Sequence, residues 1–269
     1  MRKVNRVLFV FCCLVSLSIN NVSQAAPKAK MIEFWNDYEP DSGLKLNHST
    51  WQSMLDKYLD DMHPSGVNRF NYDQVTDQDK QLLIQYLDFL QGMDPRQLNR
   101  PRKKAFWLNL YNATIVSMVL ASKPEQSIKG IGSIWRKKRL VVARQKMSLD
   151  DIEHGVLRPL FNDPRIHFGL TPATIGSGDL PAEAFTGDNV EELLERNTQD
   201  FFVSGNKGAY IEGNRLVVSS IFKWYKSDFG GNDVNVKSFI KKYANEGLRA
   251  SIDQSSKISY QYDWGLNKP

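Results

Sequence analysis

His167 is the side chain best placed by type for acid or base chemistry, because an imidazole titrates near neutrality. It stands in the apolar run Arg165 to Leu170, beside a stretch rich in glycine and proline. Ten residues on, Gly176-Ser177-Gly178 presents a hydroxyl that would become a nucleophile if His167 took its proton and a carboxylate such as Glu153 or Asp179 oriented the ring. The competing readings are a buried histidine satisfied by hydrogen bonds and a flexible Gly-Ser-Gly turn. The triplet lacks the strand-to-helix setting of a serine elbow.

A second group is ionic and polar. Glu153 and His154 are neighbours on a helix and point about 100° apart, whereas His154 and Arg158 are four residues apart and share a face, a pairing suited to an anion. Asn109 and Asn112 lie three apart on one face of an otherwise apolar helix. Buried amides must be bonded, so they either tie that helix to a neighbouring backbone or line a polar pocket with His154, Arg165 or His167. Trp224, Tyr225 and Asp228 add an aromatic and acidic group over the same region. The expected ligand-binding pocket therefore comprises Asn109, Asn112, His154, Arg158, Arg165, Trp224 and Asp228, with His167, Ser177 and Glu153 as the catalytic candidates. Four histidines without ligand spacing predict no metal site, and nothing in the sequence calls for a cofactor.

Hydrophobic periodicity supplies the elements that must hold these groups. Helical spacing runs through Trp51, Leu55, Tyr58, Leu59 and Met62 in the segment Ser49 to Met62. Thr76 caps a second helix with Leu82, Leu83, Tyr86, Leu87 and Leu90 on its buried stripe, and Pro101 opens a third through Leu120. Arg139 to Met147 reads as extended, Ser148 with Asp151 as a cap for a helix ending near Phe161, and Arg165 to Leu170 as a short strand before the loop Thr171 to Leu180. Thr186 or Asp188 starts another helix, and Gly213-Asn214 closes a hairpin of Ala209 to Ile211 with Arg215 to Val218. Short helices over Ser220 to Phe229 and Val236 to Tyr243 and a strand over Ile258 to Tyr262 complete an α+β, helix-rich single domain with a small antiparallel sheet.

Several strings resemble one family in order: Ala105-Phe106-Trp107-Leu108-Asn109-Leu110-Tyr111-Asn112-Ala113, the run Ser148 to Pro159, Asp163 to Phe168, Phe222 to Phe229, and Tyr262 to Asn267. From about Asn71 to Asn267 the chain resembles the domain of unknown function 547, a resemblance that implies a domain without naming an activity. Its members usually carry two cysteines after the Arg-Ile-His-Phe string; here Pro172 and Ser177 stand where they would fall. The resemblance therefore implies that thiol chemistry is lost or replaced.

The chain has 269 residues, a formal net charge of +5 and two cysteines, too few for a disulfide scaffold. Arg2, Lys3 and Arg6 precede the apolar run Val7 to Ile19, and small residues at Ser23 and Ala25 suit cleavage before Ala26. Removing residues 1–25, a signal peptide on this reading, takes both Cys12 and Cys13, leaves 244 residues and lowers the formal charge to +2. Residues 26–48 are then an N-terminal extension and 49–269 the domain. The basic clusters Arg100, Arg102, Lys103, Lys104 and Arg136 to Arg139 would meet an acidic surface or remain solvated. The expected protein is exported, periplasmic or extracellular, and a binding or scaffolding module for a small molecule, peptide or cell-envelope polymer. Nucleic acid and a membrane span after signal removal are not expected; a hydrolase or transferase built on His167 with Ser177 or water is the alternative.

Overall fold

The computed structural model describes residues 26–203, 207–255 and 257–269; the signal-peptide reading of 1–25, with Cys12 and Cys13, lies outside the described residues. Helices dominate, and the strands form small, mostly antiparallel sheets, an α+β architecture. Helix α1 (Ser49–Tyr58) ends sooner than its periodicity predicts, because Leu59 turns extended and β1 (Leu59–Asp60) pairs antiparallel with β2 (Arg69–Phe70), leaving Met62 on the surface. Thr76 caps α2 (Asp77–Gly92) by accepting from the Asp79 amide. Leu83, Tyr86, Leu87 and Leu90 form its buried i, i+3, i+4, i+7 stripe, and Leu82, one residue off that stripe, is exposed.

Helix α3 (Arg100–Ser122) is capped by Asn99, has Pro101 in its first turn, and is buried on every side from Lys103 to Val116. Its length and composition would allow a membrane crossing, but here it is the central helix of the larger apolar cluster. The predicted extended segment is a hairpin of β3 (Leu140–Val142) and β4 (Gln145–Met147). Ser148 and Asp151 then form a reciprocal capping box for α4 (Leu149–Ile152). The helix continues through a π-turn, Glu153–Leu157, into α5 (Arg158–Phe161), where Asn162 in the left-handed conformation stops it.

The segment Arg165 to Leu170 holds a short helix and not a strand: Asp163 accepts from the Arg165 amide, and that turn starts α6 (Ile166–Gly169), after which Leu170 turns extended. After α7 (Val190–Val203), β5 (Ala209–Glu212) and β6 (Arg215–Ser219) pair across a two-residue turn whose first residue, Gly213, has φ 60°. Between β6 and β7 (Lys257–Gln261) run α8 (Ile221–Trp224), a 3-10 turn Lys226–Phe229, α9 (Asp233–Tyr243) and α10 (Glu246–Ile252). That long crossover lets β7 lie parallel to β6, the one departure from the antiparallel expectation. A second apolar cluster, rich in phenylalanine and centred on Phe168, Phe201, Phe222 and Phe229, packs under this sheet. The π-turn belongs to the first cluster and the 226–229 turn to the second, so the charged side chains considered next stand where the two meet.

Candidate functional site

Arg158 is the hub. Its side chain is buried, and its guanidinium grips Asp228 as a fork, Nε donating to Oδ2 at 2.6 Å and Nη2 to Oδ1 at 2.9 Å. His167 Nε2 donates to the same Oδ2 at 2.8 Å, and the Ser227 hydroxyl donates to Oδ1. Burial opposes the charge on Asp228, but the hydrogen bonds from His167 and Arg158 prevail and hold the carboxyl well below the usual carboxylate range. Arg158 Nη1 donates to His154 Nδ1 at 3.0 Å and to the Pro27 carbonyl at 2.7 Å. A guanidinium only donates, so His154 Nδ1 is an acceptor and the ring is neutral with its proton on Nε2. Burial, reinforced by Arg158 against the pull of Glu153, lowers the His154 pKa in agreement.

Glu153, also buried, completes the group, with Oε1 3.8 Å from His154 Nδ1 and 3.9 Å from His167 Nδ1. The phenols of Tyr111 and Tyr225 lie against it, and burial together with that carboxylate pushes both well above the normal tyrosine range. The Tyr225 ring lies tilted by 30° over His167 with centroids 3.9 Å apart and also faces the Arg158 guanidinium. Three stretches of chain thus bring His154, Arg158, His167, Glu153 and Asp228 together.

The other expected members are elsewhere. Asn109 is clamped to Phe185, donating to its carbonyl at 2.7 Å and accepting from its amide at 3.0 Å. Asn112 does the same with the Gly169 carbonyl and the Thr171 amide, both at 2.9 Å. Each amide imitates a strand neighbour, so these residues bolt α3 to the chain on either side of the 171–180 loop and do not line a pocket. Arg165 is tied to Asp163, Glu191 and Glu195, and Trp224 packs with Tyr262 and Trp264.

Ser177 is not presented to His167. Its one hydroxyl proton is shared between the carbonyls of Thr174 and Gly178, at 2.7 and 3.0 Å, and among the described residues no hydrogen bond joins it to the imidazole. The flanking glycines are packing positions: a Cβ on Gly178 would lie 2.2 Å from the Phe168 carbonyl oxygen, and one on Gly176 2.7 Å from the Asp263 amide. Asp179 binds Lys207 at 2.7 Å and the Asn68 amide, and so does not orient His167. In the first basic cluster Lys103 and Lys104 are turned inward, while Arg100 stays exposed. Lys103 is fully buried on the carbonyls of Trp35 and Asp37, burial lowering its pKa to about 8, and Arg100 and Arg102 bond to the carbonyls of Leu160 and Ser42. Of the second cluster, Arg139 bonds to the carbonyls of Gly132, Ser133 and Ile134, while Arg136 and Lys138 remain exposed near Asp150 and Asp151.

Sequence reasoning missed Pro27, Tyr111 and Gly155. Gly155 had a legible signal, a glycine inside a helix four residues before a proline. Among the described residues no group of three or more His, Cys, Asp or Glu side chains is arranged to hold a metal ion. A surface hollow of about 270 Å³ beside Tyr72, Lys80 and Lys123, and another of about 330 Å³ beside Ser49 and Leu82, share no residue with the cluster. Residues 95–202 match the family model described as a protein of unknown function, DUF547; the match takes in α3, the π-turn, His167 and Ser177 and stops before Tyr225 and Asp228. No curated protein and no solved structure matches the chain.

Proposed function

We propose that the protein is an exported, periplasmic-type binding or scaffolding module that works without thiol chemistry. The observation that carries this reading is the commitment of His167, Ser177 and Asp179 to internal partners. His167 Nε2 is spent on Asp228, the Ser177 hydroxyl on two backbone carbonyls, and Asp179 on Lys207. A nucleophile needs a base within hydrogen-bond reach, and among the described residues no histidine or carboxylate hydrogen-bonds this serine. Export rests on the basic start and apolar run ahead of Ala26, and the absence of a thiol on Pro172 and Ser177 together with removal of Cys12 and Cys13.

Ester hydrolysis separates this reading from the hydrolase alternative. With p-nitrophenyl acetate as probe, the wild type, Ser177→Ala and His167→Gln should all give the same slow background rate. A drop of about tenfold or more in either variant, with the fold retained, would restore a catalytic role, because removing a general base or a nucleophile costs at least that much.

A further inference from the structure

The π-turn takes from two backbone acceptors the partners that a regular helix would give them. In a regular helix the carbonyl of His154 would accept from the Arg158 amide, but that amide bonds to Glu153 instead. The carbonyl of Gly155 would accept from residue 159, which is Pro159 and has no N–H. Both acceptors sit in a buried stretch, where an unsatisfied carbonyl is unfavourable. They are satisfied from the far end of the chain: the Lys30 amide donates to His154 O and the Ile32 amide to Gly155 O, each at 2.9 Å.

Donors two residues apart are the signature of an extended strand, whose alternate amides face the same side. Three residues before Lys30, the Pro27 carbonyl takes the Nη1 proton of Arg158. Ile32 fills the space over Gly155, since a Cβ there would come within 2.4 Å of the Ile32 Cδ1 atom. Gly155 is thus the floor of an apolar notch, and Arg158 is the end stop of the same track. None of these contacts depends on side-chain identity except the notch, so the track reads an extended backbone and one branched apolar residue.

Among the described residues, the strongest anchor of the occupying segment lies at its C-terminal end. Residues Glu33–Trp35 form a 3-10 turn, Trp35 is fully buried against Trp107 with centroids 5.0 Å apart, and Lys103 holds the Trp35 carbonyl. Ahead of that anchor, Pro27 to Lys30 are exposed. We propose that the π-turn and Arg158 form a seat for an extended peptide strand, filled in this structure by residues 27–32 of the same chain, and that a second polypeptide of that form takes the seat when this segment lifts from its Trp35 anchor. The proposal rests on the binding-module reading and gives it a ligand class.

The test uses the full chain and a fluorescein-labelled peptide of sequence Ala26–Glu33 followed by anisotropy. A tethered segment competes at an effective concentration of about millimolar, so the wild type should bind the peptide weakly. Ile32→Ser, which empties the notch, should bind it at least about tenfold more tightly, and so in lesser degree should Lys30→Pro, which removes one donor while leaving an exposed position and hence the fold intact. Adding Gly155→Val to either variant should abolish the gain by filling the notch. Equal affinity for wild type and both releasing variants, or a gain that survives Gly155→Val, would overturn the proposal. Such a failure leaves the binding-module reading standing, because that reading falls only on the ester-hydrolysis result.

Discussion

Two buried polar regions of this molecule solve the same problem with different partners. At the Asn109 and Asn112 clamps, the groups that need hydrogen bonds are paired with Phe185, Gly169 and Thr171, segments from the interior of the chain enclosed by helices on either side. At the π-turn, the groups that need hydrogen bonds are paired with Pro27, Lys30 and Ile32, a segment tied down at Trp35 and otherwise near the chain's beginning. The satisfied geometry is alike, but on the proposal above one set of partners leaves without unfolding the core and the other does not. Permanence of the partner, more than the number of hydrogen bonds, separates a structural clamp from a binding seat.

Side-chain removal should expose the contrast most strongly. Asp228→Ala leaves the Arg158 guanidinium buried without its counter-charge and should lower stability by about 3–5 kcal/mol, whereas Asn112→Ala, which strands one carbonyl and one amide, should lower it by about 2–4 kcal/mol. Urea denaturation measures both, and a loss below about 1 kcal/mol for Asn112→Ala would mean that the clamp is not holding the 169–171 backbone.

Acid separates the regions more finely. His48, bonded to Tyr86 at 2.7 Å and next to Asn109, has its pKa lowered by burial from 6.5 to about 4. The folded state then binds fewer protons than the unfolded one between those values, so its contribution is complete above pH 6.5 and is lost as pH falls towards 4, by about 3 kcal/mol in all. His154 in the seat is lowered in the same direction and adds a loss of the same sign, while Asp228, held low, contributes stability that is lost only below the ordinary aspartate value of about 3.9. Stability measured against pH in wild type and His48→Gln isolates the clamp's share; an unchanged slope between pH 6.5 and 4 in the variant would show that His48 does not carry it.

The fold was legible where the signal is local. The Thr76 cap, the Ser148 and Asp151 capping box and the Gly213-Asn214 turn each act within a few residues, and each forms as its chemistry dictates. Arg165 to Leu170 was illegible because a single Asx turn at Asp163 outweighs the apolar strand pattern that follows it. At the site, the four-residue spacing of His154 and Arg158 placed them on one face, and Asp228 was marked by its aromatic neighbours. Nothing local could connect Arg158 to Pro27, 131 residues away, or turn Lys103 inward to the carbonyls of Trp35 and Asp37. Residues 26–48 read as a mere extension for the same reason: an extended strand that pairs with a helix rather than a sheet leaves no periodic pattern of its own.

Native-state amide exchange followed residue by residue puts the two regions into one experiment. The amides of Lys30 and Ile32 should exchange through a local opening at a free energy well below that of global unfolding, while the amides of Phe185 and Thr171 should exchange only when the whole protein unfolds. Equal protection at all four positions would contradict the distinction between a fixed clamp and a seat whose occupant can leave.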